Sequence, residues 1–322
     1  MKQGIFVAGS ILVDNIASIL AYPKKGELTK ILSLDKAVGG LVPNVGIDLK
    51  RLDKNLKVYA GGKISDDENG RFVLDTFKKE KIDISKIKVV KEDNTSFTNV
   101  VSEIKGERTF YTYPGTSSTF GYDDIDFKSL DVKMIHLGYF LLLDKIDNGD
   151  GIKILKKCNE LGIKTSIDLV SENSDRYSLV RPVLKYVDYL IINEIEASAL
   201  AGIKFNGNNI YDIMKKIKSL GVKEKIIVHQ VKASYLLDDN EFIEMPSLEI
   251  NPKDIKGTTG AGDAFCAGSL LGIYNNYSNK EILDFASKVA AISLTEKDAT
   301  SGVKSKEEIV KKYKNARRLK SC

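Results

Sequence analysis

Short apolar runs alternate along this chain with segments whose apolar residues recur at helical spacing, and no other feature restricts the fold so tightly. The runs Ile5–Val13, Val58–Ala60, Met134–Phe140, Thr165–Leu169, Tyr189–Ile192 and Ile226–His229 read as buried strands. Between them, Asn44–Leu52, Glu68–Glu80, Gly151–Leu161, Leu179–Val187, Glu194–Leu200 and Ile210–Leu220 carry the helical period. Gly162, Gly202 and Gly221 stand where helix C-termini fall. Strand, helix and strand repeated in this way predict a three-layer α/β/α fold, with helices on both faces of a mostly parallel central sheet. Past residue 256 the rhythm changes to helical segments at Ala261–Tyr274 and Lys280–Glu296, then a Lys/Arg-rich helix at Lys306–Leu319.

Two stretches interrupt the alternation. Residues 15–36 and 95–120 read as strands joined by turns; the second reads as a hairpin, Thr98–Ile104 with Arg108–Tyr113, turning at Lys105-Gly106-Glu107. The expected organisation is a core built from residues 1–14, 37–94 and 121–322, with a small β lid from 15–36 and 95–120 inserted in it. A chain of 322 residues buries roughly three quarters of its unfolded surface, so it needs no covalent or metal staple. Cysteine usage agrees: Cys158, Cys266 and Cys322 are odd in number and far apart, with no CxxC pair. The only histidines are His136 and His229. The longest uncharged stretch, Ala264–Asn279, contains Gly, Ser and Asn and falls short of the about 20 residues a membrane helix needs. The net charge of +5 is a mild basic bias, and the basic tail (Lys311, Lys312, Lys314, Arg317, Arg318, Lys320) reads as a solvated helix face. The expectation is a cytoplasmic protein with neither nucleic-acid nor membrane partners.

The chemistry is concentrated in Gly257-Thr-Thr-Gly260-Ala261-Gly262-Asp263-Ala-Phe265, directly ahead of an apolar helix. Glycines there let a ligand approach main-chain N–H groups, and the first turn of a helix presents unpaired N–H groups and the positive end of the dipole, an anion site. A carboxylate beside a phosphate site makes sense if Asp263 faces an acceptor alcohol while the amides of Gly260, Ala261 and Gly262 face the transferring phosphoryl group. Rival nucleotide motifs are missing: Phe265 stands where GxGxxG needs glycine, and GxxxxGK[ST] does not occur. Asp14 follows the first apolar run and would therefore sit at a carboxyl sheet edge, where open α/β sheets bind ligands. Gly39 and Gly40 allow close backbone approach, and Asn44 offers both donor and acceptor to hydroxyl pairs. Asn44 is equally placed to cap the following helix. Asn193 and Glu196 are one helical turn apart and can face one ligand.

GTTGAGDAF resembles the C-terminal signature of the ribokinase-like (PfkB-type) carbohydrate kinases, usually written DTTGAGDAF. Three further segments resemble that family in the same order: Ala8–Asp14, Val38-Gly39-Gly40-Leu-Val-Pro-Asn44, and Ile192-Asn193-Glu-Ile-Glu196 followed by Ala201-Gly202. The resemblance spans essentially the whole chain. It implies ATP-dependent phosphorylation of a sugar hydroxyl, often a hydroxymethyl, with Asp263 as base and Asp14, Gly39, Gly40 and Asn44 holding the sugar. It implies that Asn193 and Glu196 organise Mg²⁺–ATP, the metal met through water, and that the protein is a homodimer through the lid. The neutral Leu41, Val42 and Pro43 favour an unphosphorylated sugar of ribose or fructose type; Lys24, Lys25, Lys105 and Arg108 leave a phosphosugar open. A nucleoside kinase, or a silent sugar- or nucleotide-binding regulator, are the alternatives.

Two segments depart from the family pattern. Gly257 replaces the Asp that in relatives helps hold a monovalent cation, and Asp298 stands where relatives commonly have Gly, which argues against strong potassium activation. In Val228-His229-Gln230-Val231-Lys232-Ala233-Ser234 the family's T-L-G-x-x-G glycines are replaced at Val231 and Ser234. There His229 reads either as a buried strand residue or as a phosphate contact, and Val231 adds bulk beside the nucleotide. Ser287 stands where relatives place a purine-contacting residue.

Overall fold

The computed structural model describes residues 2–103, 108–172 and 175–320. The tip of the expected hairpin, with Lys105, and the terminal Cys322 lie outside the described residues. In chain order the elements are β1 (Ile5–Ala8), β2 (Leu12–Ile19), β3 (Ile31–Gly39), α1 (Leu41–Leu52), β4 (Val58–Ser65), α2 (Glu68–Lys79), β5 (Asp83–Val90), β6 (Phe97–Glu103), β7 (Arg108–Tyr113) and α3 (Gly115–Ser118). Then follow β8 (Met134–Phe140), α4 (Gly151–Glu160), β9 (Lys164–Leu169), β10 (Tyr189–Asn193), α5 (Glu194–Ala201), α6 (Ile210–Ser219), β11 (Lys225–His229), β12 (Ala233–Leu237), β13 (Phe242–Pro246), α7 (Ala261–Tyr274), α8 (Asn279–Ser293) and α9 (Lys306–Lys312).

Nine strands form the main sheet in the order β13-β12-β11-β10-β9-β8-β1-β4-β5. The pairings from β5 across to β11 are parallel, while β12 and β13 add an antiparallel edge. One apolar cluster packs the sheet against α1, α2, α7 and α8, and a second packs the other face against α4, α5 and α6. The central strands are therefore apolar throughout, as a sheet covered on both sides requires. Helix starts follow local chemistry: the Asp67 side chain accepts from Gly70 N at the head of α2, and Ser278 with Glu281 forms a capping box on α8. Among the described residues no helix is long and apolar enough to cross a membrane.

The small sheet has the order β3-β2-β6-β7, with β2 and β6 parallel and the two outer pairings antiparallel. The single apolar run Ile5–Val13 is in fact two strands in two sheets. Gly9, at φ 144°, has no room for a Cβ, which would lie 2.7 Å from the Gly138 carbonyl oxygen, and the chain breaks there before starting β2. Asp14 accordingly lies inside a strand of the small sheet, paired with Ala37 and Thr98, and not at the carboxyl end of the first core strand. The connecting Ser10 is tied to α1: its carbonyl accepts from Val42 N and its hydroxyl from Leu41 N.

Two helical expectations are corrected. Residues 179–187 fold as 3₁₀ turns, Arg176–Leu179 and Arg181–Tyr186, where Pro182 follows Arg181 and interrupts an α-helical ladder. The last helix stops at Lys312; a turn over 313–315 follows, and then Leu248 bridges Arg318, whose guanidinium bonds the Pro246 carbonyl and the Asp284 carboxylate. The basic tail is thus in part a clamp on the antiparallel edge and not a solvated helix face throughout.

Candidate active site

The parallel strands β8 to β11 end on one side of the sheet, and α7 begins there. Gly260 precedes α7 at φ 78°, the left-handed region. A Cβ on Gly260 would lie 2.5 Å from Ala299 Cα, so only glycine lets this turn close against the 298–301 loop. Of the three amides nominated by the sequence, that of Ala261 donates to Thr258 O at 3.3 Å. Ala261 N is therefore committed to its own turn, because Thr258-Thr-Gly-Ala closes as a tight bend.

Asp263, in the first turn of α7, is buried at 9% exposure. Asn44 Nδ2 donates to its Oδ2 at 2.8 Å, and Tyr139 Oη lies 3.1 Å from both oxygens. Burial, with the nearby Asp168 charge, lifts the Asp263 carboxyl to about 7 against the hydrogen bonds from Asn44 and Tyr139. A buried carboxylate poised near neutrality is suited to accept a hydroxyl proton. Asn44 Oδ1 is buried and has no partner, which leaves an acceptor for a ligand hydroxyl.

Tyr139 escaped the sequence reading, because it lies within an apolar strand run. Its backbone is left-handed at φ 60°, unusual for a non-glycine residue. That conformation is held by Asp168 Oδ1, which accepts from Tyr139 N at 2.6 Å. Asp168, at the end of β9, was likewise missed; a single Asp in a strand gives no periodic signal. Both line a cavity of about 260 Å³ together with Asn193, Glu196, His229, Gly260 and Asp263.

Asp14 has a half-buried carboxyl that burial raises to about 6. A Cβ on Gly39 would lie 2.4 Å from Asp14 Oδ2, so the glycine is what lets the carboxylate lie against the backbone. Gly40 caps α1 at φ 87°, and Asn44 follows in the first turn of that helix. The four sugar-site candidates thus run continuously from the small sheet to the Asp263 carboxylate.

Asn193 is the N-cap of α5: its Oδ1 accepts from Ile195 N and Glu196 N, and its own N–H donates to Glu196 Oε2. Glu196 Oε1 also accepts from Ser171 Oγ and Asn193 Nδ2, and burial lifts its carboxyl to about 7. The two residues bond each other, since the capping box consumes most of their lone pairs. Both side chains nonetheless line the same cavity, as their one-turn spacing predicts.

Beside them opens a larger cavity of about 440 Å³, ample for a nucleotide base and ribose. Val231 is 89% exposed at its mouth, and Leu248, Ile250, Ile255, Ala290 and Leu294 supply apolar wall. His229 stands between the two cavities, half-buried, and loss of solvent around the ring pushes its imidazole down to about 4. It is neutral at physiological pH. Ser287 lines the pocket, but its hydroxyl donates to Leu283 O at 2.7 Å, the usual back-bond of a helical serine. The same oxygen lies 3.4 Å from Ser234 Oγ of β12, so it also links α8 to the sheet edge.

Gly257 packs against the loop after α8; a Cβ there would lie 3.0 Å from Glu296 O. Asp298 Oδ1 accepts from Thr300 N and Ser301 N, and Arg51 Nη1 donates to Thr300 O at 2.6 Å. From the small sheet, Arg108 Nη1 donates to Thr259 Oγ1 at 3.1 Å, a bond that joins that sheet to the Gly-rich turn.

The chain matches the family described as pfkB family carbohydrate kinase over residues 2–306. It is 28% identical over 314 residues to a ribokinase of Dictyostelium discoideum, covering 92% of this chain and 95% of that one. It is 23% identical over 312 residues to a ribokinase of Staphylococcus aureus, covering 96% and 99%. In fold it is similar to Arabidopsis thaliana ribokinase, whose structure was solved in complex with ribose and ATP, with a TM-score of 0.83, 21% identity and coverage of 97% and 98%. The chain belongs to the pfkB family of carbohydrate kinases.

Proposed function

We propose that this pfkB-family kinase transfers the terminal phosphoryl group of ATP to a hydroxyl, of hydroxymethyl type, on an unphosphorylated monosaccharide. The observation that carries the reading is Asp263: a buried carboxylate near neutrality, held by Asn44 and Tyr139 in the first turn of a glycine-capped helix. In the reaction Asp263 takes the proton of the acceptor hydroxyl. The alkoxide oxygen forms the new bond to phosphorus, and the bond to the bridging oxygen of ADP breaks. The amides of Gly260 and Gly262 face the charge on the transferring group. Asp14, Gly40 and the unpaired Asn44 Oδ1 orient the sugar.

ATP is assigned to the larger cavity, with Val231 and the apolar wall against the base and His229 as a neutral neighbour of the phosphates. The donor set at Asn193 and Glu196 is all oxygen and largely committed to hydrogen bonds, which fits a magnesium ion met through its own waters. Asn193 and Glu196 would hold those waters, and the ion supplies neutralisation of phosphate charge. Arg51 already satisfies the Thr300 carbonyl and Gly257 carries no carboxylate, which supports turnover without a monovalent cation.

The small sheet exposes Leu34 and Tyr111 on one face and Phe110 on the other, with Leu28 in the loop between β2 and β3, apolar side chains suited to cover by a second copy of the chain. This supports a homodimer through the lid. The free thiols of buried Cys158 and Cys266 support a reducing, cytoplasmic setting. ADP release measured with a panel of sugars, phosphosugars and nucleosides, with and without Mg²⁺, tests the assignment. The expected result is release with an unphosphorylated sugar only. Release with nucleosides alone identifies a nucleoside kinase, and sugar binding by calorimetry without any ADP release identifies a silent regulator; either overturns the proposal.

A further inference from the structure

Beneath the Asp263 cavity three side chains of different chemistry converge from three elements: His136 from β8, Asp168 from β9 and Cys266 from α7. His136 Nε2 lies 3.5 Å from Cys266 Sγ and 3.6 Å from Asp168 Oδ2, and the three donor atoms all fall within 4.8 Å of one another. Exposures are 0% for His136, 7% for Asp168 and 3% for Cys266. A tetrahedral zinc ion bound at about 2.0–2.3 Å by nitrogen, oxygen and sulfur has ligand atoms separated by roughly 3.3–3.6 Å. The two separations from His136 match that edge length, so the donors need little movement to close on an ion.

Further observations point the same way. His136 Nδ1 lies 3.0 Å from Ser166 Oγ, the kind of contact that fixes a ligating imidazole with its other nitrogen free for metal. Asp168 uses Oδ1 for Tyr139 N and turns Oδ2 toward His136, so ligation through Oδ2 leaves the Tyr139 anchor in place. Asp168 and Cys266 line the cavity that also holds Asp263, which leaves a fourth position open to solvent or ligand. Hydrogen bonding alone explains the trio less well: a thiol is a weak partner, and 3.6 Å is too long for a hydrogen bond between imidazole and carboxylate.

We infer that His136, Asp168 and Cys266 form a three-donor site for a divalent cation of the zinc class, distinct from the all-oxygen magnesium position and open to the active-site cavity. The Cys266 thiol gives up one proton as its sulfur bonds the metal, so binding releases about one proton per ion near neutral pH. Metal at this site places positive charge beside Asp263, and the expected consequence is inhibition of phosphotransfer by micromolar zinc. The site stands independently of which sugar is phosphorylated.

Cobalt(II) titration of the full-length protein under reducing conditions provides the test. The expected result is a near-ultraviolet thiolate-to-cobalt charge-transfer band with intense tetrahedral visible bands, saturating at one equivalent and abolished by zinc. Cys266→Ser removes the charge-transfer band, Cys158→Ser and Cys322→Ser retain it, and Ser166→Ala weakens binding by about tenfold. Proton release on zinc addition to the unmodified protein, read with a pH indicator, is a second measurement that does not depend on any variant folding. Absence of the band at stoichiometric cobalt, its survival in Cys266→Ser, or zinc binding without proton release overturns the inference.

Discussion

Tyr139 and Asp263 meet through a single phenol oxygen placed 3.1 Å from each carboxylate oxygen, and the tyrosine that makes this contact is held in a left-handed backbone conformation by Asp168. The phenol stabilises the ionised form of Asp263 and so opposes the rise caused by burial. Tyr139→Phe should therefore push the Asp263 carboxyl above about 7. Activity falls at pH 7 and recovers toward pH 9, each unit of displacement costing about tenfold in the ionised fraction. A kcat/KM profile with an unmoved acid limb would separate Tyr139 from the base.

Asp263→Asn removes the proton acceptor while keeping the shape and one acceptor oxygen. Turnover should fall by about 10²–10⁴ with sugar affinity, measured by calorimetry, nearly unchanged. In the unmodified enzyme, kcat/KM should rise with pH through about 7, since the base works only when ionised.

Gly260→Ala places a methyl within 2.5 Å of Ala299 and forces an L-residue to φ 78°. The left-handed backbone costs about 1–2 kcal/mol and the collision about 1–3 kcal/mol more. Thermal melting should show the loss of stability, and the increase in Tm that ATP produces should shrink, because the turn that faces the phosphate is displaced.

Much of this arrangement was legible in the sequence for physical reasons that particular residues make plain. The turn Gly260–Asp263 stood out because glycines and a carboxylate come directly before an apolar helix, and the structure puts that carboxylate in the first turn of α7. The start and end of α7, and the helical identity of α1, α2, α4, α5 and α6, followed from apolar spacing. The path of the first apolar run was hidden, because Gly9 and Ser10 carry the chain from one sheet to another without a change of hydrophobicity. Tyr139 and Asp168 were invisible for a related reason: each acquires its role from tertiary contact, and neither alters the local pattern. Asn193 and Glu196 were placed together by their spacing, but spacing cannot show that they spend their hydrogen bonds on each other.

Replacing potassium by choline should leave turnover nearly unchanged. The Thr300 carbonyl is already held by Arg51, and Asp298 turns its oxygen onto Thr300 N and Ser301 N. Strong stimulation by potassium in a steady-state assay would show that this loop takes a cation after all.

Asp48, on α1, is fully buried, and neither carboxylate oxygen has a partner. Burial, with the Asp263 charge next, raises its carboxyl well above the usual range. A raised folded pKa means that the native state holds the proton more tightly than the unfolded chain. This residue therefore opposes folding increasingly as pH climbs above its unfolded value of 3.8. Asp48→Ala should stabilise the fold by about 1–3 kcal/mol near neutrality, and by less at pH 4.5. Chemical denaturation at the two pH values measures the difference.

Ser10 joins the two sheets and also grips the head of α1, one turn before Asn44 reaches Asp263. Any tilt of the outer sheet is consequently transmitted through a linkage of a few covalent bonds to the amide that steadies the base. The outer sheet and the seat of the Asp263 carboxylate are thereby members of one mechanical chain, so neither can shift far without carrying the other.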